Sequence, residues 1–104
     1  MNTKQIARIQ EMEQRLNRSW EAIDTLKACL EQYRQALDDI RALEHYLSSP
    51  QWRQDYEDDE GGQLPQELRR GVLSQDAIWN LLGTHQSLLY DMALLINANS
   101  KQQQ

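Results

Sequence analysis

The residues that could do chemistry are few. Asp55, Glu57, Asp58, Asp59 and Glu60 form a run of carboxylates, and carboxylate oxygens are the ligands of hard cations. Their spacing does not make a calcium loop. With Asp55 in the first position, Glu60 stands where the loop requires Gly, and Gln66 stands where it requires a bidentate Glu. The run reads as a solvated acidic turn, some of whose acids pair with Arg69 or Arg70. His45 and His85 are the only histidines, and neither belongs to a zinc-binding pattern. His85 falls on an apolar stripe, the place of a hydrogen-bonded core or border histidine. Cys29 stands beside Leu30 with no base near it in sequence, so it reads as a small buried apolar residue rather than a nucleophile. Ser74 occupies a helix-capping position. Gly61-Gly62 is followed by Gln-Leu-Pro, not by the Lys-Ser or Lys-Thr of a phosphate-binding loop. No enzymatic activity, no metal and no cofactor is expected.

Composition narrows the class. The 104 residues are 39% hydrophobic and 26% charged, which allows one modest core and not two. β-Branched residues are few, while Leu, Gln, Glu, Ala and Arg are many, which argues for helices. The net charge of −5 disfavours a phosphate-tracking nucleic-acid binder. It is unevenly placed: residues 50–70 hold three basic against six acidic side chains and so supply −3 of it. The single cysteine cannot close an internal disulfide, which suits a reducing cytoplasm. The first residues contain no apolar signal core, and the longest strongly apolar run, Met92 to Ile96, is far short of the roughly 20 residues that span a bilayer. A cytoplasmic protein is expected, with no nucleic acid and no membrane among its partners.

All six Gly and Pro residues lie between Pro50 and Gly83. The first 49 residues have none, and their apolar positions run Ile6, Ile9, Met12, Leu16, Trp20, Ile23, Leu26, Leu30, Tyr33, Leu37, Ile40, Leu43 and Leu47. Every step is three or four residues, with a mean of about 3.4, close to a heptad seam. The spacing predicts one amphipathic helix from about Thr3 to Ser48, with Thr3 as a candidate cap. Ser49 then caps a short helix with Pro50 in its first position, and Gly61-Gly62 ends it. Leu64-Pro65 begins a further helical turn that closes at Gly71, a residue suited to a left-handed C-terminal cap. Ser74 caps the last helix, whose stripe is Ala77, Ile78, Leu81, Leu82, His85, Leu89, Met92, Leu95 and Ile96. One helical domain over 1–96 is expected, followed by a polar, disordered tail over 97–104.

The two main helices do not match in length. The first would span about 69 Å and the last about 36 Å at 1.5 Å per residue. Folded back on each other, they would leave the seam around Ile9, Met12, Leu16, Trp20 and Ile23 facing water. Such a stripe marks an interface. Three exits exist: pairing with a second copy, pairing with another protein, or a break near Asn17-Arg18-Ser19 that makes a three-helix bundle. Of the three tryptophans, Trp20 lies on the seam, Trp52 folds the connector onto the helices with Tyr56, and Trp79 packs on the connector.

One segment is distinctive beyond its periodicity. Trp52-x-x-Asp55-Tyr56-x-x-Asp59-Glu60-x-Gly62, followed by Leu64-Pro65-x-Glu67-Leu68-x-Arg70-Gly71-Val72-Leu73-Ser74-x-Asp76-Ala77, resembles the bacterial family known as domain of unknown function 4298. The preceding helix, with Leu43-Glu44-x-Tyr46, resembles it too, so the likeness covers roughly residues 5–95. It implies a small bacterial or phage-borne helical protein and no activity. It also implies Glu where this chain carries Gln75. In physical terms, Trp52 and Tyr56 would dock on the hairpin, Leu64 and Leu68 would close the bend, and Asp55 or Asp59 would pair with Arg70.

The expected architecture is all-α: a long N-terminal helix, a short helical acidic connector and a shorter C-terminal helix as an antiparallel hairpin, dimerising into a helical bundle. The expected function is protein–protein interaction, as a homodimer or with another protein. The rival is an acidic inhibitor or immunity-type protein that blocks a basic site on a partner.

Overall fold

A computed structural model of the chain describes residues 2–102. The order of elements is α1 (Thr3–Leu47), α2 (Pro50–Glu60), a 3-10 turn (Gly71–Leu73) and α3 (Ala77–Gln102). Among the described residues there are no strands, so the fold is all-α, with a long N-terminal helix and a shorter C-terminal one. No helix among them is long and apolar enough to cross a membrane.

α1 runs without a break through Asn17-Arg18-Ser19, which removes the three-helix-bundle exit. Asn17 and Ser19 propagate a helix poorly, but each costs only about half a kcal/mol relative to Ala, and no Gly or Pro stands near. The helix is capped by Asn2, not Thr3. The Asn2 side chain accepts from the Lys4 amide at 2.8 Å, and its carbonyl accepts from Ile6 at 3.1 Å. α1 carries ion pairs along its surface, Arg15 to Glu11 at 3.0 Å and Arg34 to Glu31 at 3.7 Å, all highly exposed.

The chain divides into two compact units, the first ending at Asp38 and the second beginning at Asp39. The described residues of the first are Asn2 and the part of α1 from Thr3 to Asp38. In it, Ile6, Ile9, Met12, Leu16, Trp20, Ile23, Leu26 and Leu30 are all exposed, between 39% and 61%. From Tyr33 onward the stripe changes character: Tyr33, Leu37, Ile40, Leu43 and Leu47 are half-buried.

The second unit holds the core, where Leu73 and Ile78 are buried. Leu43 of α1, Val72 of the 3-10 turn, and Ile78 and Leu81 of α3 line one cavity there. α2 begins as the sequence predicts. Ser49 is its cap, with φ −92° and ψ 157°, its hydroxyl accepts from the Trp52 amide, and Pro50 follows. Its end is a Schellman motif: Gln63 donates to the Asp58 carbonyl at 2.9 Å and Gly62 to the Asp59 carbonyl at 3.1 Å. Gly62 takes the left-handed conformation this requires, with φ 71°.

The next segment corrects the sequence reading. Residues 64–70 form no helix, and a single turn closes where Leu68 donates to the Pro65 carbonyl at 3.2 Å. Gly71 does not end a helix in the left-handed conformation. It opens the 3-10 turn, and Gly62 is the only described glycine with positive φ. Proline removes a donor and fixes one φ, which suits a single turn as well as a helix start. Ser74 is not the cap of α3: it lies three residues before Ala77, in extended conformation at the end of the 3-10 turn, although its hydroxyl accepts from the Ala77 amide at 3.2 Å and so satisfies the first amide of the helix. α3 continues past Ile96 to Gln102, since no Gly or Pro stops it and Lys101 lies in its last turn, where a cation complements the helix dipole. Residues 103 and 104 of the expected tail lie outside the described residues.

Candidate functional site

Two regions gather the residues that the sequence singles out: the connector, in the second unit, and the exposed face of α1, in the first.

In the connector, α2 presents Trp52, Asp55, Tyr56 and Asp59 at steps of three and four, so that they share a face. Trp52 and Tyr56 stack with ring centroids 5.2 Å apart and planes 17° from parallel. The stack is held at both ends. Trp52 Nε1 donates to the Val72 carbonyl at 3.0 Å, and Tyr56 accepts from Gln75 Nε2 at 3.1 Å. Two positions ahead of α3, one in the 3-10 turn and one just after it, are thereby tied to α2. Gln75, the position where the resemblance implies Glu, acts here as a donor to the phenol oxygen, which an ionised carboxylate could not do.

The carboxylates divide their partners. Asp59 Oδ1 accepts from Arg70 Nη1 at 2.6 Å, with the two side chains 22% and 30% exposed. Arg70 Nη2 also reaches the Gln66 carbonyl at 3.3 Å, which ties down the turn after Pro65. Asp55 does not turn to Arg70. Its Oδ2 accepts from the Tyr46 hydroxyl at 2.6 Å. Tyr46 is pushed up to about 12, first by burial and then by the hydrogen bond and negative charge of Asp55. Asp58 accepts from Gln54 at 2.9 Å, and Glu60 is exposed at the end of α2. Leu64 is half-buried and Pro65 exposed. Tyr46, Asp55, Leu64, Arg70 and Leu73 line a cavity of about 260 Å³.

Of the two pairings expected for Arg70 the structure shows the one with Asp59. Trp52 and Tyr56 bond Val72 and Gln75, and Leu68, expected to close the bend with Leu64, is 49% exposed. Tyr46, Val72 and Gln75 are partners that the sequence reading did not name. The Ser48-Ser49 turn is the signal that could have found Tyr46, because a tight turn brings the end of α1 back onto the first turns of α2. Chemically the connector is a clamp. Its polar groups satisfy one another, and no three His, Cys, Asp or Glu side chains converge as a metal site among the described residues.

The α1 face is of a different kind. Ile9, Met12, Leu16, Trp20 and Ile23 lie along it at 53%, 53%, 51%, 60% and 48% exposure. Cys29 is exposed rather than buried, since nothing in the first unit covers that stretch of helix. Trp79 corrects a second expectation: it is 68% exposed on α3, among Asn80, Gly83, Thr84 and Ser87, and does not pack on the connector. Its position is off the apolar stripe, so the helix turns it outward. His85 is half-buried on α3, and His45 is exposed on α1.

No curated protein and no solved structure matches the chain. The family model for a domain of unknown function (DUF4298) matches residues 9–95, which takes in the connector and most of α1 and α3. The chain therefore belongs to the DUF4298 family.

Proposed function

We propose that this chain is a protein-interaction protein that self-associates through the α1 face, with Ile9, Met12, Leu16, Trp20 and Ile23 at the centre of the interface. The observation that carries this reading is the uninterrupted exposure of the stripe from Ile6 to Leu30, eight large apolar side chains at three- and four-residue steps. Monomers rarely leave a contiguous apolar band of that size in water. Covering the exposed half of one such side chain is worth about 1 kcal/mol, so two chains gain about 16 kcal/mol gross. That matches or exceeds the roughly 4–15 kcal/mol cost of association.

The rival reading, an inhibitor that presents acids to a basic site, draws on the connector. Asp55 and Asp59 are already engaged with Tyr46 and Arg70. No observation favours that reading over the first.

Static light scattering at tens of micromolar tests the proposal. The wild type is expected to be a dimer, and a chain carrying both Met12→Glu and Trp20→Glu is expected to be a monomer with its helical signal largely kept. A monomeric wild type overturns the proposal.

A further inference from the structure

The exposed stripe has a register as well as a surface. Ile9, Leu16, Ile23 and Leu30 recur every seven residues, and Met12, Ser19 and Leu26 each follow by three. These are positions a and d of a heptad. Glu13, Trp20 and Lys27 then form one flank, position e, and Arg8, Arg15, Ala22 and Cys29 form the other, position g. In an antiparallel pair e faces e and g faces g, whereas in a parallel pair each e faces a g.

We infer that the second copy lies antiparallel to the first, with Trp20 beside the two-fold axis. The inference rests on the self-association proposed above. Placing Trp20 opposite the partner's Trp20 sets Glu13 opposite the partner's Lys27, and Lys27 opposite the partner's Glu13. The same register layers Met12 on the partner's Leu30, Leu16 on the partner's Leu26 and Ile23 on the partner's Ser19. It brings Ala22 to the partner's Ala22, small side chains that let the two helices close. Sliding the copies by one heptad in one direction sets Glu13 against the partner's Trp20; in the other it sets Glu13 against the partner's Arg34 but draws the half-buried Tyr33 and Leu37 into the layers.

The burial pattern selects the same direction. The stripe is exposed from Ile6 to Leu30 and half-buried from Tyr33 to Leu47. An antiparallel pair centred near Trp20 uses the exposed stretch of both copies and leaves the half-buried stretch as it is. A parallel pair in register would set the half-buried stretches of the two copies against each other. It would also stack Ser19 on the partner's Ser19 and leave Lys27 facing the partner's Ala22. Its compensations are Arg8 beside the partner's Glu13 and Arg15 beside the partner's Trp20.

Cross-linking in a Cys29→Ser background separates the two directions. With Ala22→Cys added, mild oxidation is expected to give a covalent dimer. With Met12→Cys added, no covalent dimer is expected, because eighteen residues along the helix, about 27 Å, separate Met12 from the partner's Met12. The charges give an independent readout. Lys27→Glu is expected to raise the dimer dissociation constant about tenfold, since each change acts at two symmetric contacts, and Glu13→Lys in the same chain is expected to restore it. A wild-type dimer in which Met12→Cys cross-links, Ala22→Cys does not, and Lys27→Glu leaves the dissociation constant unchanged overturns the antiparallel arrangement alone. A wild-type monomer by light scattering overturns this inference together with the self-association.

Discussion

The connector makes a quantitative prediction about which acid holds Arg70. Asp59 meets Arg70 at 2.6 Å with both side chains about a quarter exposed, while Asp55 hydrogen-bonds Tyr46 instead. Two unit charges about 4 Å apart at an effective dielectric of about 20 attract by about 4 kcal/mol. Desolvation and the ordering of a long arginine side chain cancel most of that. Fully exposed pairs retain about 0–1 kcal/mol, whereas losing one partner of a buried pair costs about 3–5 kcal/mol. A half-buried pair with a second bond from Arg70 to the Gln66 carbonyl falls between, at about 1–1.5 kcal/mol of coupling. The perturbation is a double-mutant cycle on Asp59→Ala and Arg70→Ala, with a parallel cycle on Asp55→Ala and Arg70→Ala. Urea unfolding followed by far-ultraviolet circular dichroism, at one fixed protomer concentration, gives each corner. The first cycle should show the full coupling and the second less than about 0.3 kcal/mol, the usual scatter for pairs that do not interact. Equal coupling in both cycles, or none in the first, refutes the assignment of partners.

Two further outcomes follow from the same region. A tyrosine pushed up to about 12 stabilises the fold fully below its ordinary value of 10.0, and that contribution is lost as pH rises through 12. Wild type should therefore lose about 1 kcal/mol more than Tyr46→Phe between about pH 9 and pH 12 in chemical denaturation, the value being kept small by solvent on one side of the ring. Gly62→Ala should cost about 1 kcal/mol in thermal or urea unfolding, because an L side chain is strained at φ 71° although open space surrounds it. Gly61→Ala should cost less, since Gly61 sits at φ −81° and its added Cβ meets the Glu57 carbonyl at an ordinary 3.4 Å.

The helices were legible because their signals are local and repeated. Thirteen apolar positions at three- and four-residue steps fix α1 to within a residue of its observed end at Leu47. Ser49-Pro50 fixes the start of α2, because a cap and its following proline act within one turn. The segment 64–70 was not legible, because a lone turn at Pro65 and the first turn of a helix draw on the same residues. Gly71 misled for a similar reason: glycine serves a left-handed cap and a 3-10 start equally, and only the backbone angle separates them. The partner of Asp55 escaped because a reading of charges looks for arginines. The nearest donor is a phenol nine residues upstream, across a turn. Trp79 escaped because its type suggests burial, while its place on α3 turns it to solvent.

The stripe on α1 shows what periodicity can and cannot specify. One unbroken three-and-four pattern runs from Ile6 to Leu47, and nothing in its residue types changes along the way. Burial does change, at Tyr33, so a single pattern serves two purposes along one helix. Within the second unit, the half-buried Ile40, Leu43 and Leu47 accompany a core in which only Leu73 and Ile78, among the described residues, are buried. A core of that size is a weak one, since stability is the small difference between burial and chain entropy. The exposed stretch keeps eight large side chains that a self-sufficient monomer would have little reason to align. Selection for a stable monomer would put polar residues at Met12, Leu16 and Trp20 at no cost to the second unit. Their alignment with the heptad, and with the opposite charges of Glu13 and Lys27 about Trp20, accords with a face shaped for another copy of itself.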